Sequence, residues 1–110
     1  MINIEALGGL AKLQILKIEQ CNELQELPSV KTLVSLCRLR AVNCVKFKSI
    51  RDLGHLTKLE SLDVSGCLEL EELEGLENCK SLRYLNTRRC PKLQLSEGVV
   101  ERLRQRITIR

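Results

Sequence analysis

The stretch LKIEQCNELQELP at residues 16–28 decides the fold, because its pattern returns every 23 residues. Cys21, Cys44, Cys67 and Cys90 keep that spacing, as do Leu16, Leu39, Leu62 and Leu85, and Leu13, Leu36, Leu59 and Leu82. The same period runs through Leu7/Val30/Leu53/Leu76, Leu10/Leu33/Leu56/Cys79 and Ile18/Ala41/Val64/Thr87. It also holds Leu24/Phe47/Leu70/Leu93 and Leu27/Ile50/Leu73/Ser96. Only Thr87 and Ser96 in these columns are not apolar, and both stand in the last repeat, where an array has to change in order to end. A fixed period of this length is the mark of stacked units that bury a shared core, none of which can cover its apolar face alone.

Within one unit the apolar residues step by three, except for one step of two, as in Leu16-Lys17-Ile18. A step of two places both apolar side chains on one face of an extended chain, so it marks a short strand. Steps of three fit a backbone with about three residues per turn, 3₁₀ or polyproline-like, better than an α-helix. Each unit is therefore predicted to be one strand and a mostly 3₁₀ or irregular return path. Stacking lays the strands side by side in a parallel sheet.

The series LxxLxxLxLxxCxxLxxL that begins with LKIEQCNELQELP resembles the leucine-rich repeats of plant intracellular nucleotide-binding immune (disease resistance) receptors. In those repeats Asn or Cys occupies the position held here by Cys21, Cys44, Cys67 and Cys90. The resemblance spans about residues 4–95. F-box-associated and stand-alone repeat proteins share the pattern. It implies a right-handed α/β solenoid with its short parallel sheet on the concave face and a recognition role in defence signalling. No GxxxxGK[ST] phosphate cradle occurs in the chain, so the resemblance reaches only the sensing end of such a receptor.

The expected division is residues 1–95 as repeats and 96–110 as a helical cap and tail. Met1 and Ile4 fall in the columns of Leu24 and Leu27, so the first unit is incomplete and the chain reads as a piece of a longer array. At the other end Ser96 is a helix N-cap. Val99, Val100, Leu103 and Ile107 then recur at helical spacing, which predicts a helix over about 97–106.

Aromatics are 2% of a chain that is 44% apolar, in keeping with a core of stacked leucines. The net charge of +4 is uneven: residues 75–110 carry nine Lys/Arg against three Asp/Glu, and residues 1–74 carry nine against eleven. No apolar run is long enough to span a bilayer, and no secretory signal is visible. The cytoplasm is the expected compartment.

Six cysteines raise metal and disulfide chemistry, but no CxxC pair is present and a lone His55 does not complete a Cys/His set. Parallel, in-register side chains argue against disulfides across repeats. The four column cysteines are read as structural thiols, and Cys37 is expected to point outward. His55 lies on the return path without a nucleophile beside it, so no enzyme, cofactor or metal is expected. Glu23, Lys46, Glu69 and Lys92 form a surface column of alternating sign, with Lys48 and Glu71 neighbours in the next.

Function is expected on the concave face, where the residues between the apolar strand positions point outward. The binding residues named there are Arg38, Arg40, Asp63, Arg83, Tyr84, Asn86, Arg88 and Arg89. Arg40 is expected to pair with Asp63 and Glu60 with Arg83, leaving Arg38, Tyr84, Arg88 and Arg89 least compensated. Tyr and Arg are the commonest binding hot spots. The expected partner is a protein, or other domains of a longer parent chain, with a substrate-adaptor or scaffold role as the alternative. No small-molecule substrate or membrane is expected. Nucleic acid ranks lowest, because one aromatic on that face is a poor stacking platform.

Overall fold

The computed structural model describes residues 11–27 and 30–110. Expectations placed on Met1, Ile4, Leu7 and Leu10 lie outside the described residues. In chain order the elements are β1 (Ile15–Glu19), β2 (Arg38–Val42), β3 (Ser49–Ile50), β4 (Ser61–Asp63), β5 (Glu72–Leu73), β6 (Tyr84–Asn86), α1 (Glu97–Arg104) and β7 (Thr108–Ile109). The described residues form an α/β fold with a five-stranded parallel sheet, β1-β2-β4-β6-β7, and one α-helix.

The 23-residue period sets the register. Leu16 pairs with Leu39, Leu39 with Leu62, and Leu62 with Leu85. One face of the sheet is thus a row of leucines, all buried, while the residues between them face outward. A slip of one residue would turn every leucine to water, so burial enforces this pairing.

The three-residue steps of the return path also have a backbone basis. Hydrogen bonds from residue i+3 to residue i close Cys21 to Leu24 (3.1 Å), Cys44 to Phe47 (3.0 Å), Cys67 to Leu70 (3.1 Å) and Cys90 to Leu93 (3.2 Å). Val30–Leu33, Leu53–Leu56 and Leu76–Cys79 are closed in the same way, the last two opening with the 3₁₀ turns Leu53–His55 and Leu76–Asn78. Such a bond brings both apolar side chains to the inside and leaves the two intervening residues toward solvent. A second parallel ladder, β3 beside β5, adds regular structure to a side the spacing left irregular. It forms because the common register aligns these extended pieces too.

The core is continuous from Leu16 to Leu103; among the described residues it contains no buried polar or charged residue, and its largest fully buried side chain is Phe47. Helix α1 closes the far end. Ser96 Oγ accepts the Val99 N–H at 3.3 Å, and Leu103 is buried with Val99 and Ile107 packed on the core. The helix stops at Arg104, two residues short of the expected end, and its last turn tightens where Leu103 C=O also accepts the Arg106 N–H three residues on.

The tail then joins the sheet. β7 pairs Thr108 with Tyr84 and Ile109 with Leu85, an offset one residue longer than the others because the return path is now helical. Both exceptions in the apolar columns are explained here. Ser96 caps the helix, and the Thr87 hydroxyl donates to Arg110 C=O at 3.1 Å beside its own N–H at 2.7 Å. Among the described residues no helix is long and apolar enough to cross a membrane.

A second periodic feature was not legible as such. Gln20, Asn43, Gly66 and Arg89 all have positive φ, at 55°, 57°, 77° and 61°, each just before a column cysteine. The chain leaves every strand of this series through a left-handed residue. Gly75, at φ 86°, shows the cost of a side chain in such a place: a Cβ there would lie 2.7 Å from Gly54 N. Gly75→Ala is expected to lower stability by about 2 kcal/mol, measured as the midpoint of urea denaturation. An unchanged midpoint would refute the strain argument.

Candidate functional site

The outward face of the sheet carries two central columns. One runs Ile15, Arg38, Ser61, Tyr84, Thr108, and the other Lys17, Arg40, Asp63, Asn86. Arg83 stands just before β6, and Arg88 and Arg89 just after it. All eight candidate residues therefore lie on this face or at its rim. They do not play one role.

Arg40 is tied down. Its Nη2 lies 3.5 Å from Glu19 Oε1 and its Nε 3.9 Å from Asp63 Oδ2. The expected Arg40–Asp63 pair is present, with Glu19 as an added partner from β1. The Nε is buried without a hydrogen bond, since 3.9 Å is an ionic contact and too long for one. Asp63 Oδ1 accepts the Ser65 N–H at 3.0 Å, and Asn86 Oδ1 accepts the Arg88 N–H at 3.1 Å. Asp63 and Asn86 thus shape the same bend after two neighbouring strands, a local side chain-to-backbone closure typical of Asp and Asn.

The expected Glu60–Arg83 pair does not form; the two residues meet through the backbone, Arg83 N–H to Glu60 C=O at 2.8 Å. Both side chains are exposed, where water screens the pair and ordering two long chains offsets its gain. Among the described residues no carboxylate lies within ion-pair distance of Arg38, Arg83, Arg88 or Arg89. Elsewhere on the surface Lys46 meets Glu23 at 3.5 Å and Lys92 meets Glu69. The Lys92 ammonium holds the Glu69 carboxyl below its usual range, and Glu69 in turn raises Lys92.

Two grooves flank the face at opposite strand ends. One, of about 700 Å³, includes Cys37, Lys58, Glu60, Lys80, Arg83 and Arg106 in its walls. The other, of about 580 Å³, includes Gln20, Asn43, Gly66, Leu68 and Arg89. Sequence reasoning found neither, because each gathers residues from several columns and the first also takes Arg106 from the tail. Cys37 is half-buried in the first groove, with its thiol 3.5 Å from Ser35 C=O. His55 lies on the return side in the turn Leu53–His55, lining a smaller groove with Glu74 and Asn78.

The column cysteines form a thiol ladder. Cys44 donates to Ile18 C=O (3.6 Å), Cys67 to Ala41 C=O (2.8 Å) and Cys90 to Val64 C=O (3.0 Å), each 26 residues back. Cys79 does the same to Leu53 C=O at 3.1 Å. All six cysteines are free, and among the described residues no group of three or more His, Cys, Asp or Glu is placed to hold a metal ion. Burial pushes the Cys67 thiol up to about 12 and Cys79 to about 11, and raises Cys44 and Cys90.

These shifts have a testable sign. Unfolded thiols ionise from about pH 9 upward while the buried ones stay neutral, so only the unfolded state gains from losing the proton. The thiol contribution to stability is whole below pH 9 and falls as pH rises toward 11 to 12. The melting temperature is expected to drop across pH 9–11, and Cys67→Ala/Cys79→Ala to flatten that drop. An equal slope in the double variant would contradict the assignment. No protein-family model matches the chain, and no curated protein matches it.

Proposed function

We propose that this chain is a leucine-rich-repeat solenoid of the kind found in plant intracellular immune receptors, and that it holds a protein partner against the concave outer face of its main sheet. The observation that carries this reading is the in-register stacking of Leu16, Leu39, Leu62 and Leu85 at a constant offset. That stacking sets Arg38, Tyr84, Arg88 and Arg89 on or beside a preformed surface where, among the described residues, no carboxylate pairs with the arginines.

The mechanism is recognition without chemistry. A preformed sheet offers contacts at little ordering cost, and Arg forks onto partner carboxylates while Tyr supplies apolar area. In a longer parent chain the same face would bias an on/off equilibrium between domains. The cytoplasm is the compartment this role requires, and it needs no cofactor.

A photo-crosslinking residue at Ser61 or Tyr84 tests the face. Adducts with one discrete partner are expected from those positions in source-cell extract and not from Glu72 on the return side. Equal adducts from both sides would remove the proposal. The receptor reading also expects the native protein to run far above the mass of this chain.

A further inference from the structure

We propose that the groove walled by Lys58, Lys80, Arg83 and Arg106 is a docking site for an acidic peptide segment of the partner. This rests on the reading of the chain as a protein-recognition module and assigns chemistry to a groove at the rim of the outward face, where Arg83 stands. Four cations share the groove with one carboxylate, Glu60. None of the five takes part in an ion pair. By contrast, Arg40 lies between Glu19 and Asp63, and Lys46 and Lys92 meet glutamates of the preceding repeat. The basic excess of the C-terminal third is left uncompensated here.

The cations are mounted on backbone that is already pinned. Glu60 N–H bonds Cys37 C=O (2.8 Å), Arg83 N–H bonds Glu60 C=O (2.8 Å) and Thr108 N–H bonds Arg83 C=O (2.9 Å). Ser81 Oγ donates to Thr57 C=O at 2.6 Å, tying the stretch that carries Lys80 to the one that carries Lys58. Arg106 is held by its N–H to Leu103 C=O at 2.9 Å and by β7 just beyond it. The N–H groups of Glu60, Arg83 and Arg106 are thus satisfied, and the guanidinium and ammonium groups remain to meet a ligand. Four cations in one concavity focus a positive field that an anion relieves, and the two arginines offer forks that match carboxylates.

The same features favour peptide over nucleic acid. Single strands are held by a long basic track with aromatic platforms. This groove is short, and no aromatic ring lines it.

The test uses a fluorescein-labelled hexaglutamate peptide followed by anisotropy at about 50 mM salt. Saturable binding is expected, weakening as salt rises. Arg83→Gln/Arg106→Gln is expected to weaken it roughly tenfold or more, and Lys58→Gln/Lys80→Gln, outside the strands, to do the same. Arg51→Gln/Arg102→Gln removes the same charge away from the groove and is expected to change binding less than about twofold. Bound peptide should also slow iodoacetamide modification of Cys37, read by peptide mass spectrometry, with melting temperatures confirming that each variant folds. Equal losses in all three double variants, no protection of Cys37, or a twelve-residue oligo-dT binding as tightly would each overturn the proposal. Failure here is separable from failure of the face, because partner cross-linking at Ser61 and Tyr84 does not depend on this peptide.

Discussion

Phe47→Ala is expected to destabilise the protein by about 3–5 kcal/mol, the largest effect of any single truncation in the fold. Phe47 is fully buried and is the largest side chain in the core. It stands between Leu24 and Leu70 in its column, so the cavity would open inside the stack and not at an end. Its N–H is also held by Cys44 C=O at 3.0 Å, which limits how far the backbone can collapse into the void. A domain of this size has roughly 5–15 kcal/mol in total, so the variant should lose about a fifth or more of its stability. Urea denaturation read by circular dichroism measures it. Tyr84→Ala, half-exposed on the outward face, should cost less than about 1 kcal/mol in the same assay. Similar losses in the two variants would mean that the interior and the sheet face are not distinct in the way burial indicates.

The second large effect is on binding. Arg88→Glu/Arg89→Glu is expected to weaken the partner identified by cross-linking by roughly a hundredfold or more, since hot-spot arginines are worth about 2 kcal/mol or more each and reversal adds repulsion. Folding should be unaffected, because neither guanidinium is paired. Arg89 sharpens this expectation. It occupies a left-handed position, φ 61°, where Gly66 and Asn43 stand in the preceding repeats. Arg89→Gly should therefore keep or raise stability, by up to about 1 kcal/mol, while still weakening the partner. Surface plasmon resonance beside a thermal melt separates the two quantities. Unchanged affinity in the double reversal would remove Arg88 and Arg89 from the proposed interface.

The separation between what was readable and what was not follows the range of the interaction. The positions of β1, β2, β4 and β6 were legible from Leu16-Lys17-Ile18 and its copies, and the helix from Ser96 and the spacing of Val99, Leu103 and Ile107. β7 was not, because Ile107-Thr108-Ile109 is too short a pattern to tell a strand from the end of a helix. The left-handed column was hidden for a related reason: Gln20, Asn43, Gly66 and Arg89 share a backbone conformation and no chemistry. The outward face was legible as a set of columns. The work of Asp63 and Asn86 was not, since their bonds to Ser65 and Arg88 depend on the bend that follows each strand.

Sequence by itself determined the parallel register and the membership of the core, because only one offset stacks all eight apolar columns at once and burial penalises every other. The period already aligned Arg40 with Asp63, Glu23 with Lys46 and Glu69 with Lys92, and these pairs form; tertiary structure alone decided the other charge contacts. Glu19 joins Arg40, Glu60 and Arg83 part, and Arg106 arrives beside Arg83 from beyond the helix. Those outcomes turn on a few ångströms at the ends of long, solvated side chains and on a return path that breaks the period, and no spacing in the chain encodes either.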